Sequence, residues 1–449
     1  MRTRSARLGL LLAASCLVAA CLSPEAAYAE TRTAADLTPE AVWEAINTAK
    51  DGDTIQLPAG TAVWTKGWNT GHGAKMKAIT IQGAGIDKTV IGDDRSKPDA
   101  APFFLLGVEG KPFRVTGITF DGTGYRNAGN WGGLMDIRGT CKNFRIDHCK
   151  FKNTDAMINI DGDTYGLLDH CYFDGQQSHG GNVQPLKYSA AGAANYRKPL
   201  TLGTAEAMYF EDNEVYIGPA AIREGNVPWI APNNGSRVVI RHNKIINSQL
   251  EIYRPGMNKQ YGSQTAEIYD NEFSAVGVKQ GTPQCFITIG AGVAIVFNNT
   301  VRGTTYNVRQ LELRNERALR DLPGFPKADG KNPMDGNQIP AGQLGAGYPC
   351  FGQVGWATNV DGVFKPSPCY AWNNTFNGEP LRMETSRRAA ANEAATIKEG
   401  RDFFNEEPKH EYYKPYVYPH PLQEGWEALM KSVAVPAGSG SSTTPPSKP

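Results

Sequence analysis

Carboxylate, phenol and guanidinium side chains follow short apolar segments at several points between residues 136 and 314. The densest group is Glu251, Tyr253 and Arg254, three such side chains within four residues. A phenol can exchange a proton with a reacting group, and a guanidinium can neutralise a negative charge that develops beside it. These residue types therefore indicate acid–base chemistry on an anionic substrate, with Arg314 as a further cation.

These polar residues flank apolar residues that mark the ends of short strands. The markers are Ile137, Ile160, Leu202, Ile222, Ile252, Ile289 and Leu313. Because side chains alternate along a strand, the residue before and the residue after each marker point outward. They form two columns, here called the outward strip: Asp136, Asn159, Thr201, Ala221, Glu251, Thr288 and Glu312, and beside them Arg138, Asp161, Gly203, Arg223, Tyr253, Gly290 and Arg314.

A repeated polar turn indicates how the strands are stacked. Its central residues are Cys149, Cys171, Asn213, Asn243, Asn271, Asn299 and Asn374. The smallest step leaves room for three short strands and their turns, and no helical pattern intervenes. Such a repeat predicts an all-β solenoid in which each coil stacks on its neighbour. Asparagine suits the turn because its amide can bond the same group one coil away and it tolerates positive φ.

This series resembles the asparagine ladder of the right-handed parallel β-helix proteins of the pectate lyase type. The resemblance covers roughly residues 50–376 and implies three-strand coils, with the ladder between the second and third strands. Exported proteins similar to this chain mostly cleave acidic polysaccharides by β-elimination. The family's calcium-binding aspartates and catalytic arginine match no motif here, so the resemblance assigns no residue.

The N-terminal residues 1–29 have the pattern of a signal peptide, with three arginines before a short apolar run. Cleavage before Glu30 and a lipobox that would make Cys21 a lipid anchor are both open. Either route predicts an exported protein, whether periplasmic, outer-membrane lipoprotein or secreted. No other segment is apolar enough to cross a membrane.

Residues 30–435 are predicted to form one β-helix domain with a cap at each end. An amphipathic helix at 37–49, with Thr38 as N-cap, would cover the N-terminal end, and the first coil would begin near Ile55. At the C-terminal end we expect a helix at 387–401, an extended segment at 412–422 that packs outside the coils, and a short helix anchored by Trp426. Residues 436–449 are predicted to be a disordered tail.

Charge and cysteine content limit the possible partners. The chain has 46 basic and 45 acidic residues, and loss of residues 1–29 removes three Arg and one Glu. A nearly neutral protein lacks the clustered basic surface that nucleic-acid binding requires. We also expect a monomer. Export permits disulfides, of which Cys350–Cys369 is the first candidate, although both cysteines being free stays open.

Long insertions on both sides of the outward strip indicate a walled groove for an extended polymer. They span 175–199 and 274–286 before the first strand of a coil, and 224–236, 255–264 and 315–369 after it. The alternative is that the charges of the strip are merely solvated or paired between coils.

The hypothesis that combines these features is a lyase that cleaves an acidic, uronate-containing polysaccharide. Its catalytic residues would be Tyr253, Arg254 and Arg314, and its substrate-binding residues would be Arg138, Asn159, Asp161, Arg223, Glu251 and Glu312. Asp161 and Asp163 could hold calcium, although the Asp-Gly-Asp sequence also suits a simple turn.

Two other functions remain open. A glycoside hydrolase on the same fold would use paired carboxylates, either Asp161 with Glu251 or Glu251 with Glu312. A non-catalytic surface protein would bind glycan and release no product.

Overall fold

The structure is a computed structural model. It describes residues 29–67, 77–94, 102–107, 109–122, 134–153, 158–175, 183–185, 197–219, 228–232, 234–252, 262–278, 285–303, 311–315, 328–331, 335, 340–343, 346–350, 352–358, 364–385 and 395–434.

The described chain folds as a right-handed parallel β-helix with three long sheets, which confirms the predicted fold class. Strands are numbered in chain order. The first sheet contains β1 (Thr31–Thr33), β2 (Thr54–Gln56), β4 (Ile79–Gln82), β7 (Phe113–Thr116), β10 (Phe144–Asp147), β13 (Gly166–Asp169), β16 (Met208–Glu211), β19 (Arg237–Arg241), β22 (Thr265–Tyr269), β25 (Val293–Phe297), β30 (Cys369–Trp372) and β34 (Phe403–Phe404).

The second and third sheets complete each coil. The second contains β3 (Gly60–Trp64), β5 (Thr89–Asp93), β8 (Thr119–Asp121), β11 (Lys150–Lys152), β14 (Tyr172–Gly175), β17 (Glu214–Ile217), β20 (Lys244–Ile246), β23 (Glu272–Ser274), β26 (Thr300–Arg302), β31 (Thr375–Phe376) and the antiparallel β32 (Glu379–Pro380). The third contains β6 (Phe104–Leu106), β9 (Met135–Gly139), β12 (Ile158–Gly162), β15 (Val183–Pro185), β18 (Pro228–Ile230), β21 (Gln249–Ile252), β24 (Ile287–Ile289), β27 (Leu311–Leu313) and β33 (Glu384–Thr385). A separate hairpin joins β28 (Trp356–Thr358) to β29 (Phe364–Pro366).

The interior of the coils is a continuous apolar core. Equivalent residues stack on one another, as in the run Phe120, Phe151 and Phe173, whose ring centroids are 5.5 and 4.9 Å apart. Each such side chain, when fully buried, contributes about 1.5–3 kcal/mol of transfer free energy. The alternation that fills the core also sets the outward direction of the polar residues between the apolar ones.

The ladder lies in the turn between the first and second sheets. Because each coil runs from the third sheet to the first and then to the second, this is the turn between its second and third strands, as the sequence predicts. The side-chain amide of Asn243 donates to Asn271 Oδ1 at 2.9 Å, while Asn243 Oδ1 accepts from the Asn213 main-chain N–H at 3.0 Å. The same bonds continue through Asn299 to Asn374. The left-handed position is not the ladder residue itself but the residue before it, as at His242 with φ 56° and Asp270 with φ 55°.

Helix α1 (Pro39–Thr48) closes the N-terminal end of the core, as predicted. The Thr38 side chain caps it by accepting from Ala41 N–H at 3.3 Å. Trp43 meets Trp64 of the coil wall with ring centroids 5.6 Å apart. The sheet begins earlier than predicted, because β1 already pairs in parallel with β2.

The C-terminal segment 412–434, here called the C-terminal strap, lies across the outer face of the first sheet. Its extended part packs Tyr413 against the outward aromatic residues Tyr269 and Phe297, in agreement with the sequence prediction. It ends in helix α2 (Leu422–Ala434), whose Trp426 is buried and donates to Thr80 Oγ1 at 3.2 Å.

Other predictions concern cysteines and the ends of the chain. All six cysteines within the described residues are buried and none forms a disulfide, so the predicted Cys350–Cys369 disulfide is wrong. Cys369 instead sits in β30 and accepts from Ala294 N–H at 3.2 Å. The signal peptide, Cys21, most of the expected helix at 387–401 and the tail at 436–449 lie outside the described residues. No helix among the described residues is long and apolar enough to span a membrane.

Candidate functional site

The third sheet brings together two parts of the outward strip. In one part, β9 and β12 pair Asp136 with Asn159 and Arg138 with Asp161. In the other, β21, β24 and β27 align Glu251, Thr288 and Glu312 in one column. The next strand, β33, adds Glu384 beside Glu312, a position that the sequence pattern did not reveal because it lies after the last ladder turn.

The middle of the strip differs from the prediction. The two strands between β12 and β21 are β15 and β18, and neither contains Thr201, Gly203 or Ala221. Both strands lie inside segments that sequence analysis assigned to insertions. Thr201 lies instead in the segment before β16 of the first sheet, where its hydroxyl accepts from Arg237 at 2.7 Å. The prediction failed there because Leu202 supplies the expected apolar marker without the strand, whereas Ala221 and Ile222 lie outside the described residues.

Three of the predicted site residues lie outside the described residues: Arg223, Tyr253 and Arg254. Their roles remain predictions. In the sequence, Tyr253 and Arg254 directly follow β21, the strand that carries Glu251.

Arg314 binds two carboxylates at the far end of the strip. Its Nε donates to Glu312 Oε2 at 2.8 Å, its Nη2 lies 2.7 Å from the same oxygen, and its Nη1 lies 3.7 Å from Glu251 Oε1. These three side chains, here called the carboxylate–guanidinium cluster, are nearly inaccessible, with residue exposures of 5% for Glu251, 0% for Glu312 and 3% for Arg314. The three outward charges are therefore buried rather than solvated.

The neighbours of the cluster are Cys285 and Thr288. The Cys285 thiol lies 2.6 Å from Thr288 Oγ1 and 3.9 Å from Arg314 Nη2. Burial raises the pKa of Cys285 to about 11, so the thiol is neutral at ordinary pH. Burial alone would lower the pKa of Arg314, but Cys285, Glu312 and Glu251 raise it, and the guanidinium stays charged.

One oxygen of the cluster stands out. Glu312 Oε1 is buried and has no hydrogen-bond partner among the described residues, whereas Oε2 accepts from Arg314 Nε. An unpaired buried carboxylate oxygen is costly, and in native structures such groups are concentrated where a ligand or a reaction uses them.

The opposite end of the strip is more open. The Arg138 side chain is 57% exposed and forms an ion pair with the buried Asp136. Burial alone would raise the pKa of Asp163, but Lys142 Nζ at 2.7 Å and Lys198 Nζ at 3.2 Å from Oδ2 lower it. A carboxylate that already contacts two ammonium groups does not suit a calcium site. No group of three metal-binding side chains occurs in the described part of the chain.

Known proteins resemble the chain only in overall shape. No family model and no curated protein matches it. A pectin methylesterase variant in complex with a hexasaccharide is 8% identical, with a TM-score of 0.36, over 88% of this chain and 99% of that one. A PL6 family polysaccharide lyase from Pseudopedobacter saltans is 16% identical, with a TM-score of 0.36, over 79% and 76%.

A third similar structure is the catalytic domain of a GH87 alpha-1,3-glucanase variant in complex with tetrasaccharides. It is 12% identical, with a TM-score of 0.29, over 86% of this chain and 69% of that one. At these scores the similarities carry no argument about the reaction.

Proposed function

We propose that the protein is a polysaccharide-cleaving enzyme that acts by β-elimination on a uronate-containing chain bound along the outward strip. The observation that carries the proposal is the buried carboxylate–guanidinium cluster on the outward side of the third sheet.

Burial of this kind is not explained by stability alone. Removing ionised groups from water costs several kcal/mol for each ion, and a buried ion pair often does no better than apolar residues of similar volume. A buried carboxylate oxygen with no partner in the described part of the chain is less favourable still. Buried clusters of ionisable groups are candidates for functional sites.

The cluster has a positioning role in this proposal. Glu312 and Glu251 hold the Arg314 guanidinium in one orientation below the end of β21. Tyr253 and Arg254 follow β21 in the sequence, and in this proposal they supply the proton transfer and the charge neutralisation that β-elimination requires. The base takes the C5 proton, the C4–O bond breaks to form the C4=C5 double bond, and the leaving oxygen receives a proton. Because Arg314 is buried and bound to both carboxylates, it acts through the site and does not contact the sugar.

Hydrolysis by Glu251 and Glu312 is a second candidate, favoured by Glu312 Oε1, which has no partner among the residues that the structure describes. The two residues lie on β21 and β27 with β24 between them, so their backbones are separated by about 10 Å, or two strand spacings. Inverting glycosidases place their carboxylates about 6.5–9.5 Å apart, a range that side chains from these positions can reach.

The test is a panel of acidic and neutral polysaccharides, each incubated with the purified protein, with and without calcium. Unsaturated uronates that absorb in the ultraviolet indicate the lyase. New reducing ends without that absorbance indicate the hydrolase. Retention of polymer with no product of either kind would overturn both and leave a binding protein.

A further inference from the structure

A polar cavity lies outside the outward strip, at the corner where the third sheet turns into the first. This corner pocket has a volume of about 510 Å³ and is lined by Lys142, Asp163, Tyr165, Lys198, Glu206 and Arg237, among others. Pockets for small organic ligands commonly have about 300–1,000 Å³, so the corner pocket can receive a sugar residue.

We propose that the corner pocket binds an acidic sugar residue of the polysaccharide and that Lys198, with Lys142 behind it, recognises the sugar carboxylate. The inference rests on the proposed function only for the kind of polymer, since the pocket itself is separate from the cluster at Arg314.

The corner pocket has more cations than carboxylates. Its cationic side chains are Lys142, Lys198 and Arg237, and its carboxylates are those of Asp163 and Glu206. A negatively charged sugar residue is therefore attracted to the pocket.

Lys198 is the cation with bonding capacity to spare. An ammonium group has three donors, and Lys198 Nζ uses one toward Asp163 Oδ2 at 3.2 Å while its side chain is 40% exposed. Lys142 is held more firmly, because its Nζ donates to Asp163 O at 2.6 Å and lies 4.1 Å from the centre of the Tyr165 ring. Lys142 is thus a fixed charge, and Lys198 is the donor that a ligand can reach.

The backbone that carries Lys198 is fixed before any ligand arrives. The buried Arg237 donates to Pro199 O at 3.0 Å and to Thr201 Oγ1 at 2.7 Å. Gln264 donates to Lys198 O at 2.6 Å and accepts from Arg237 Nε at 2.6 Å. A preorganised wall lowers the entropy cost of binding, so Arg237 is a positioning residue for the pocket.

The experiment measures binding of uronate oligosaccharides by isothermal titration. The probes are hexamers of galacturonate, of mannuronate and of a glucuronate-containing repeat, each beside its carboxyl-reduced neutral form. The variants are Lys198→Ala, Lys198→Arg and a matched control, Lys244→Ala, whose exposed ammonium lies 3.7 Å from Glu214 on the second sheet.

We expect Lys198→Ala to weaken binding of the charged hexamer about tenfold, as loss of a charge-assisted hydrogen bond does, and to leave binding of the neutral form unchanged. Lys198→Arg should restore most of the affinity, and Lys244→Ala should match the unaltered protein. Equal affinities for Lys198→Ala and Lys244→Ala, equal binding of charged and neutral forms, or no binding of any hexamer would each overturn the inference.

Cleavage is recorded separately on the same samples. A Lys198→Ala binding defect without product release keeps the pocket and rejects the proposed function. If Lys198→Ala releases product with unaltered affinity and KM, the proposed function is kept and the role of the corner pocket is rejected.

Discussion

The outer faces of the first and third sheets both bury charges, but they balance them differently. On the first sheet, under the C-terminal strap, Arg241 and Glu211 are fully buried and every polar atom described for the pair is used. Glu211 accepts from Arg241 at 2.6 Å, from His420 N–H at 2.8 Å and from Gln423 at 2.6 Å. Arg241 also donates to the carbonyls of Tyr416 and Val417, both at 2.8 Å.

The same balance is found in the coils before this pair. Burial alone would raise the pKa of Asp147, but Arg114, His148 and Arg145 lower it. Arg145 binds Asp169 through Nε at 2.9 Å and Nη2 at 2.8 Å. The carboxylates of Asp147, Asp169 and Glu211 thus each have a guanidinium beside them. On the third sheet, Glu312 Oε1 has no partner in the described chain, and two carboxylates share one arginine.

The difference separates two uses of buried charge. A network with every donor and acceptor paired fixes a segment in place, here the C-terminal strap on the first sheet. A network that leaves an oxygen unpaired provides no comparable gain in stability, and its burial is better explained by a site. The comparison predicts that equal substitutions on the two faces have unequal effects.

The sharpest test compares Glu211→Gln with Glu312→Gln. The first places an amide N–H₂ against donors and breaks the pairing with Arg241, so we expect the unfolding free energy to fall by about 3–5 kcal/mol. The second keeps an oxygen for Arg314 and alters an atom without a partner, so we expect less than about 1 kcal/mol. Urea unfolding followed by circular dichroism measures both, and equal losses would remove the distinction between the faces.

Catalytic activity, unlike stability, should depend on the residues that follow β21. On a confirmed substrate, Tyr253→Phe and Arg254→Ala should each lower turnover at least about a hundredfold, the usual contribution of an acid–base group, with nearly unchanged melting temperature. Arg223→Ala should mainly weaken binding of the charged polymer. Near-normal turnover in both central variants would move the reaction to the carboxylates Glu251 and Glu312 and favour hydrolysis.

The ladder gives a smaller, purely structural effect. Asn243→Ala removes the acceptor of Asn213 N–H and the donor to Phe210 O, both buried, so stability should fall by about 1–3 kcal/mol without a change in substrate specificity. Asn271→Ala should behave alike. The exposed Asn143→Ala serves as the control, and a loss of the same size there would contradict the assignment.

The last effect is a pH dependence where the C-terminal strap packs on β22. The Glu267 carboxyl in β22 accepts from the Tyr413 hydroxyl of the strap at 2.7 Å, and burial raises its pKa from 4.5 to about 7. The folded state therefore holds this proton more tightly than the unfolded state. Its stabilising contribution is complete below about pH 4.5 and is lost as the pH rises toward 7.

Melting temperatures of the unaltered protein and of Glu267→Gln, measured from pH 4 to 8, isolate that contribution. We expect the difference between the two proteins to change across this window in favour of the variant as the pH rises. The exposed Glu272→Gln should show no such change. A constant difference for Glu267→Gln would mean that Tyr413 and Gly203 hold the carboxyl equally well in both protonation states.

The sequence was most informative where one residue type recurs with one physical task. The asparagines from 213 to 374 and the apolar alternation repeat in each coil, and they led to the fold, the ladder and the inward face. The strands β15 and β18 escaped prediction because their segments lack the alternation, whereas Leu202 supplies an apolar marker without forming a strand.

The charged networks could not be read from local pattern. Arg241 contacts the strap 175 and 176 residues further along the chain, a distance that periodicity does not bridge. The burial of Arg314 likewise depends on the rest of the fold and not on its neighbours in sequence. The outward direction of Glu251 and Glu312 was predictable, but whether they meet water was not.

The packing around Gly52 brings together the two ends of the described chain. A methyl group placed on Gly52 would lie 2.5 Å from Ala434 Cβ and 3.5 Å from Ala29 Cβ, so the beginning of β1 and the end of α2 are neighbours. The C-terminal strap thereby returns the end of the described chain to its beginning. A circular permutant that joins residues 434 and 29 through a few glycines should keep the fold, and new ends could then be opened elsewhere along the solenoid.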